Sequence, residues 1–406
     1  MNLMDELTPV LDPTGPYPPA ARNPSADGPR FPVPVDGDFL FSPLPAAAAA
    51  APTRTVGELA SQSQALAEQF DRMLGQNEIS WEVAYRLVKK LGSGGQGVVF
   101  LAHRTGAFDV VFRLALKFFR PTGYPDAEAY RQDMSRLARL AMQLARIQQD
   151  HLLDVYNVIE YRGIQTLVME WVDGYDLRFL LTPGALARVR ASVDEDKWEY
   201  VNDVIVTGAG SQVRLKPGVA IAILRDCLTG LAALHREQLV HADLKPANIM
   251  VKRTGSCKLV DFGSAFALQE LPARPTWTPR YAAIEVLEGE THTPVSDLAS
   301  LGYVLFEMLS GQFPFTDATD GVELVEAKRA LAERLPERLP PDVARNGMLL
   351  DLLRKLIAPN PSDRFASAEE ADLSEQGAGE FQRQLVKGDL ASEYENDIRL
   401  WLQELQ

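Results

Sequence analysis

Cysteine is nearly missing: Cys227 and Cys257 are the only two in 406 residues. That excludes a disulfide framework and a four-thiolate zinc site, and it fits a reducing, cytoplasmic compartment. The amino terminus, MNLMDELTPVL, has neither the basic start nor the apolar core of a secretory signal. No stretch reads as the roughly 18 to 20 apolar residues that cross a bilayer. The longest candidate, 298–309, is interrupted by Ser300, Gly302 and Glu307 and is expected to be a buried helix. Positive charge is in deficit, with 41 basic against 55 acidic residues and a net charge of -14. A surface of that sign repels phosphate backbones, so nucleic acid is not an expected partner. No internal repeat is visible.

What is present is ordinary globular composition, 46% hydrophobic and 24% charged, in a length that fits a few compact units or one bilobal domain with tails. Twelve of the 27 prolines fall between Pro9 and Pro52, interleaved with Gly, Asp and Ser in a segment that is poor in periodic apolar residues and ends in an Ala46 to Ala51 run. Residues 1–52 are therefore expected to be a disordered Pro/Ala-rich tail. After it, Thr55 and Glu58 have capping-box spacing, and Val56, Leu59, Ser63, Leu66, Phe70 and Met73 form one stripe. The spacing predicts an amphipathic helix and linker over 53–80. From Ser80 to about Leu181 short β-rich runs alternate with turns around one helical stretch, 127–147, and from Gly218 onward helical periodicity dominates. The pattern predicts an α+β protein, with a β-rich first lobe, a helical second lobe and a cleft between them.

Three segments carry chemistry. Gly92-Ser93-Gly94-Gly95-Gln96-Gly97 lies between two strand-like runs, so its bare backbone N–H groups can approach a polyphosphate from a hairpin. A dinucleotide-binding turn would need a helix after Gly97, where VVFLAH continues as a strand. Lys117 follows in the apolar strand Leu114 to Phe119, and an ammonium in such a run is costly to bury unless it meets an anion. The third segment is His241-Ala242-Asp243-Leu244-Lys245-Pro246-Ala247-Asn248, followed by Asp261-Phe262-Gly263. Phosphoryl transfer needs a carboxylate to orient the attacking hydroxyl, oxygen ligands for Mg²⁺ and a cation near the transferring group. Asp243, Asn248, Asp261 and Lys245 are of those kinds.

With these residues in place the chain resembles the eukaryotic-type (Hanks-type) protein kinases, in a bacterial-like Ser/Thr form, over about 81–370. Thr278-Pro279-Arg280-Tyr281-Ala282-Ala283-Ile284-Glu285 resembles the close of the activation segment, with Ile284 where the family usually has proline. Ser296-Asp297 resembles the start of the buried helix that anchors the catalytic loop, and Arg364 the late partner of Glu285. The resemblance implies a bilobal protein-kinase-like fold with an N-lobe at 81–172, a C-lobe at 173–370 carrying an insertion at about 178–217, and a C-terminal helical extension at 371–406. It implies ATP and Mg²⁺ as cofactors and a protein hydroxyl as substrate. By the same resemblance Asp243, Lys245 and Lys117 are catalytic, and Asn248 and Asp261 hold metal. Leu91, Gly92, Gly94, Gly97, Val99, Ala115, Lys117, Glu170, Val172 and Asp176 surround the nucleotide, with Met169 as gatekeeper.

Three departures accompany the matches. Leu140 stands where the family has the glutamate that pairs the strand lysine, and neither Asp133 nor Glu128 has the right spacing to replace it. Losing one charge-assisted hydrogen bond costs about 1.5–3 kcal/mol, roughly ten- to a hundredfold in rate, whereas losing the general base costs far more, and Asp243 is present. Ala242 replaces the arginine that binds a phosphorylated loop, so little dependence on phosphate at Ser264, Thr276 or Thr278 is expected. The insertion is expected to hold a small hairpin, 200–206 with 212–215, as surface decoration or a docking element. Leu390, Tyr394, Ile398 and Leu402 predict an amphipathic terminal helix packed on the helical lobe. That helix and the N-terminal tail are the segments open to a regulatory partner. Two other classes stay open at this point: a pseudokinase scaffold, for which Leu140 argues, and a small-molecule phosphotransferase, which also uses an HxDxxxxN loop.

Overall fold

The computed structural model describes residues 83–209, 212–272, 275–318, 320–387 and 394–405, with Glu68 as an isolated position. The readings of 1–52 as a tail and of 53–80 as a helix lie outside the described residues. The first lobe is an antiparallel sheet of β1 (Tyr85–Ser93), β2 (Gly97–Thr105), β3 (Val111–Phe119), β4 (Val155–Tyr161) and β5 (Ile164–Glu170), in the order β1-β2-β3-β5-β4. Its period-two alternation sorts β3 between two faces. Leu114 and Leu116 join Ala102 and Val168 on one face, while Ala115 and Phe119 join the main core on the other. Lys117 shares the second face. Helix α1 (Ala127–Leu144) is capped by Asp126, whose carboxylate accepts from Ala129 N at 2.8 Å. It buries Tyr130, Met134, Leu137, Leu140, Ala141 and Leu144 as one stripe, as the three- and four-residue steps require.

The second lobe begins with β6 (Gly174–Asp176), α2 (Leu177–Leu180), α3 (Pro183–Ser192), α4 (Glu195–Tyr200), β7 (Val206–Ala209) and β8 (Gln212–Leu215). Next come α5 (Pro217–Arg236), β9 (Leu239–Val240), β10 (Ile249–Lys252), β11 (Cys257–Leu259) and β12 (Phe266–Ala267). The activation segment leads to α6 (Ile284–Leu287) and α7 (Pro294–Ser310). The remainder is α8 (Gly321–Glu333), α9 (Leu335–Arg338), α10 (Pro341–Ala344), α11 (Gly347–Leu356), α12 (Ala368–Leu373), α13 (Ala378–Lys387) and α14 (Tyr394–Gln403).

Helix α7 is the expected buried helix: every residue from Ser296 to Ser310 is buried, with a Thr293/Ser296 capping box in front and left-handed Gly311 (φ 64°) behind. Helix α5 corrects the reading that no stretch is long and apolar enough to span a bilayer. It meets that test by length and composition, and 72% of its most apolar window is buried inside the fold. The physical reason is its position: α7, α12, α13, α14 and β11 all pack on it, so it is apolar nearly all round.

The insertion is also different from its expectation. Residues 201–205 form a single wide helical turn rather than strand, and the hairpin is Val206–Ala209 with Gln212–Leu215. Val201, Ile205, Val206, Val213 and Leu215 are 0–5% exposed, so this segment is core, not decoration. Helix α14 packs on that wide turn and on α5. It buries Tyr394, Ile398, Trp401 and Leu402, as the four-residue repeat predicted, while Leu390 lies outside the described residues.

Candidate active site

The glycine loop is the β1–β2 hairpin, as the missing helix after Gly97 predicted. A Cβ at Gly92, Gly94 or Gly95 would meet nothing within 4 Å, and none of the three has positive φ. Neither packing nor backbone strain demands glycine there, which leaves bare backbone facing open space as the property those positions supply. Gly97 differs, because a side chain there would run into the carbonyl of Phe118 on β3.

Beneath the loop, Lys117 is only 6% exposed, and its ammonium binds Asp261 in a short ion pair and Gln96 Oε1 at 3.0 Å. Asp261 is open to the cleft, with its side chain 43% exposed. Withdrawal from water pushes its carboxyl up, but the charge and hydrogen bond of Lys117, helped by Gly263 N–H and Lys245, hold it below the usual carboxylate range. Asp261 and Ala242 both have left-handed backbone, φ 62° and 64°, in non-glycine residues. Such strain persists only where surroundings over-determine it. At Ala242 they do: buried Asp297 on α7 accepts from the N–H groups of His241 and Ala242, each at 2.9 Å, and from His235 Nε2 at 2.9 Å. Burial raises the Asp297 carboxyl, and these donors outweigh burial and hold it low.

Asp243 therefore sits on a clamped loop. Its Oδ2 lies 2.8 Å from Lys245 Nζ, and its Oδ1 accepts from the Thr278 hydroxyl at 2.7 Å. Lys245 Nζ also donates to Thr278 Oγ1 at 2.8 Å. Asn248 spends its amide N–H on the Asp243 carbonyl, at 2.8 Å, and on Oδ2, at 3.3 Å. Its amide oxygen, with the Asp261 carboxylate, is then a pair of hard oxygen donors. Among the described residues no three His, Cys, Asp or Glu side chains form a group able to hold a metal by themselves.

Val99, Ala115, Met169 and Val172 belong to or pack against the main core, while Leu91 is 45% exposed. The N–H of Glu170 is spent on Asp154 O at 3.0 Å, so that donor is not open to a ligand. Asp176 caps α2, accepting from Phe179 N at 2.8 Å, and burial raises its carboxyl.

Sequence reasoning missed three groups. Thr278 was grouped with the loop hydroxyls open to phosphorylation, yet it bridges Asp243 and Lys245. Lys258, 6% exposed, pairs with the side chain of Glu170 and donates to Leu152 O at 3.0 Å. Gln96 reaches Lys117; its place in the glycine loop was the only available signal. Leu140 is 5% exposed in the apolar core. Asp133 is engaged by Tyr124 and Arg136, and Glu128 by Arg131 and Gln132. Ala242 packs with Val240 and Phe266, an apolar cluster where a phosphate-binding arginine was expected to be missing.

A family model described as the protein kinase domain matches residues 85–373. The chain belongs to the protein kinase domain family. Among similar proteins are the probable serine/threonine-protein kinase PknB of Lactococcus lactis, 28% identical over 70% of this chain and 40% of that protein, and the serine/threonine-protein kinase PrkC of Bacillus subtilis, 28% identical over 71% and 40%. The serine/threonine-protein kinase PknD of Mycobacterium tuberculosis is 30% identical over 71% of this chain and 39% of its own length. The chain thus spans about two fifths of the length of these curated relatives. The family's late ion pair is intact: Arg364, with no side-chain exposure, grips both oxygens of Glu285 at 2.7 Å.

Proposed function

We propose that this protein is an ATP- and Mg²⁺-dependent protein serine/threonine kinase. The observation that carries the reading is the convergence of Lys117, Asp243, Lys245, Asn248 and Asp261 in one cleft under an unobstructed glycine loop. Asn248 and Asp261 would hold Mg²⁺, which prefers hard oxygen donors completed by water and phosphate, and which would neutralise charge on the phosphoryl group. Lys117 steadies the inner phosphates. Asp243, fixed by Thr278 and Lys245, accepts the hydrogen bond of an incoming hydroxyl and aims it in line, and Lys245 offers positive charge to the transferring group. The DLKPAN spacing supports serine or threonine as the acceptor. The backbones of Gly92, Gly94 and Gly97 cover the phosphates, the hinge at Glu170 and Val172 receives the base, and Asp176 takes a ribose hydroxyl.

The buried and free state of Cys227 and Cys257 supports a reducing, cytoplasmic setting. Protein substrates are the proposed partners. Of the two segments open to a regulator, the apolar face of α14 is already buried within the chain, which leaves the N-terminal tail.

Replacing Asp243 by asparagine is expected to lower phosphate transfer about a hundred- to ten-thousandfold while ATP still raises the melting temperature. Transfer by that variant at the parental rate would reject the assignment.

A further inference from the structure

Lys117 makes its hydrogen bonds to Asp261 and to Gln96, and Gln96 comes from the glycine loop, not from α1. The Gln96 carboxamide is used at both ends. Its Oε1 accepts from Lys117 at 3.0 Å, and its Nε2 donates to Ser264 Oγ at 3.3 Å. Ser264 in turn shares a hydrogen bond with Thr276 at 2.8 Å. A side chain at residue 263 would run into this carboxamide, so the glycine there leaves room for it. The acidic residues of α1 are spent elsewhere and Leu140 is in the apolar core, so that helix offers the ammonium no carboxylate.

We propose that Gln96 is the positioning residue for Lys117, a neutral acceptor from the glycine loop that does for the ammonium what a helix carboxylate at position 140 would do. Two consequences follow from its geometry. Asp261 holds one side of Lys117 whatever the loop does, and the Gln96 contact forms only when the loop is closed over it, so loop closure completes lysine placement. The Ser264 contact ties that event to the start of the activation segment. An amide oxygen also orients the lysine without adding negative charge beside a triphosphate, where a carboxylate on the loop would repel the phosphates.

This inference rests on the kinase reading, and the experiment separates the two. Initial rates of phosphate transfer against ATP concentration are measured for the full chain, for Gln96→Met, Gln96→Glu and Ser264→Ala, and for Lys117→Met. Methionine keeps length and removes the acceptor; glutamate keeps both. Gln96→Met is expected to lose about tenfold or more in kcat/KM for ATP, the scale of one hydrogen bond to a charged group, with an unchanged melting temperature. Gln96→Glu is expected to restore most of kcat with a raised KM for ATP. Ser264→Ala is expected to stay within about threefold of the parent, because the lysine contact survives. If Lys117→Met abolishes transfer and Gln96→Met does not lower it, the role of Gln96 is overturned and the kinase reading stands. If Lys117→Met transfers phosphate like the parent, the kinase reading itself fails.

Discussion

The Thr278 hydroxyl donates to the carboxylate of Asp243 and accepts from the ammonium of Lys245, so one small side chain holds the two groups proposed to face the acceptor. Thr276 touches only Ser264 among the loop hydroxyls. Alanine at the two positions should therefore act differently. Thr278→Ala is expected to lower kcat about tenfold by loosening one charge-assisted hydrogen bond, and Thr276→Ala to leave it within about twofold. Steady-state kinetics of the two variants decide it, and equal effects would contradict the bridging role. At this scale the sequence was legible where chemistry forces residue type: Asp243, Lys245, Asn248, Asp261 and Lys117 meet in one cleft. It did not show what Thr278, Lys258 and Gln96 touch, because a threonine, a lysine or a glutamine announces nothing until the fold shows which charge it meets.

Helix α7 carries two buried carboxylates of opposite behaviour. Burial raises the Asp297 carboxyl, but His235 of α5 first and then the catalytic-loop donors hold it below the usual carboxylate range. Glu307, 1% exposed, is pushed up to about 7 by burial, even though hydrogen bonds from Tyr281 and from Gln212 favour its charged form. Its folded value lies above its unfolded one, so between about 4.5 and 7 the folded state binds the extra proton and stability falls as pH rises. Above that window the contribution is flat. Glu307→Gln is expected to remove this falling limb and to raise the melting temperature at pH 8 by a few degrees relative to the parent. Melting curves across pH 5 to 8 test it, and a parallel profile for the variant would contradict the account. Elements with strong periodicity, such as α1, α7 and α14, were readable from the sequence. The 201–205 turn was not, since Val and Ile favour strand locally and packing against α14 decides otherwise.

In the whole molecule, the C-terminal helix and the insertion are held by each other. Tyr200 donates to Asp397, Ser192 to Glu404 O at 2.8 Å, and Tyr175, beside the hinge, to Leu405 O at 3.1 Å. Trp401 is 1% exposed in this seam. Trp401→Ala is expected to destabilise the protein by about 3–5 kcal/mol, seen as a lower melting temperature with kcat at low temperature nearly intact. An unchanged melting temperature would mean that α14 is not part of the folded unit. The lobed α+β architecture followed from the change of periodicity near Gly218, but this seam joins residues some two hundred positions apart, which no local pattern can announce. The cleft remains the centre of the account, and incubation of purified full chain with labelled ATP and Mg²⁺ tests it most directly. The parent is expected to transfer label to protein serine or threonine, and Lys117→Met and Asp261→Asn to lose that transfer while keeping the parent's melting temperature. Nucleotide binding by the folded parent with no label transferred to any protein, or transfer that survives both substitutions, would contradict it.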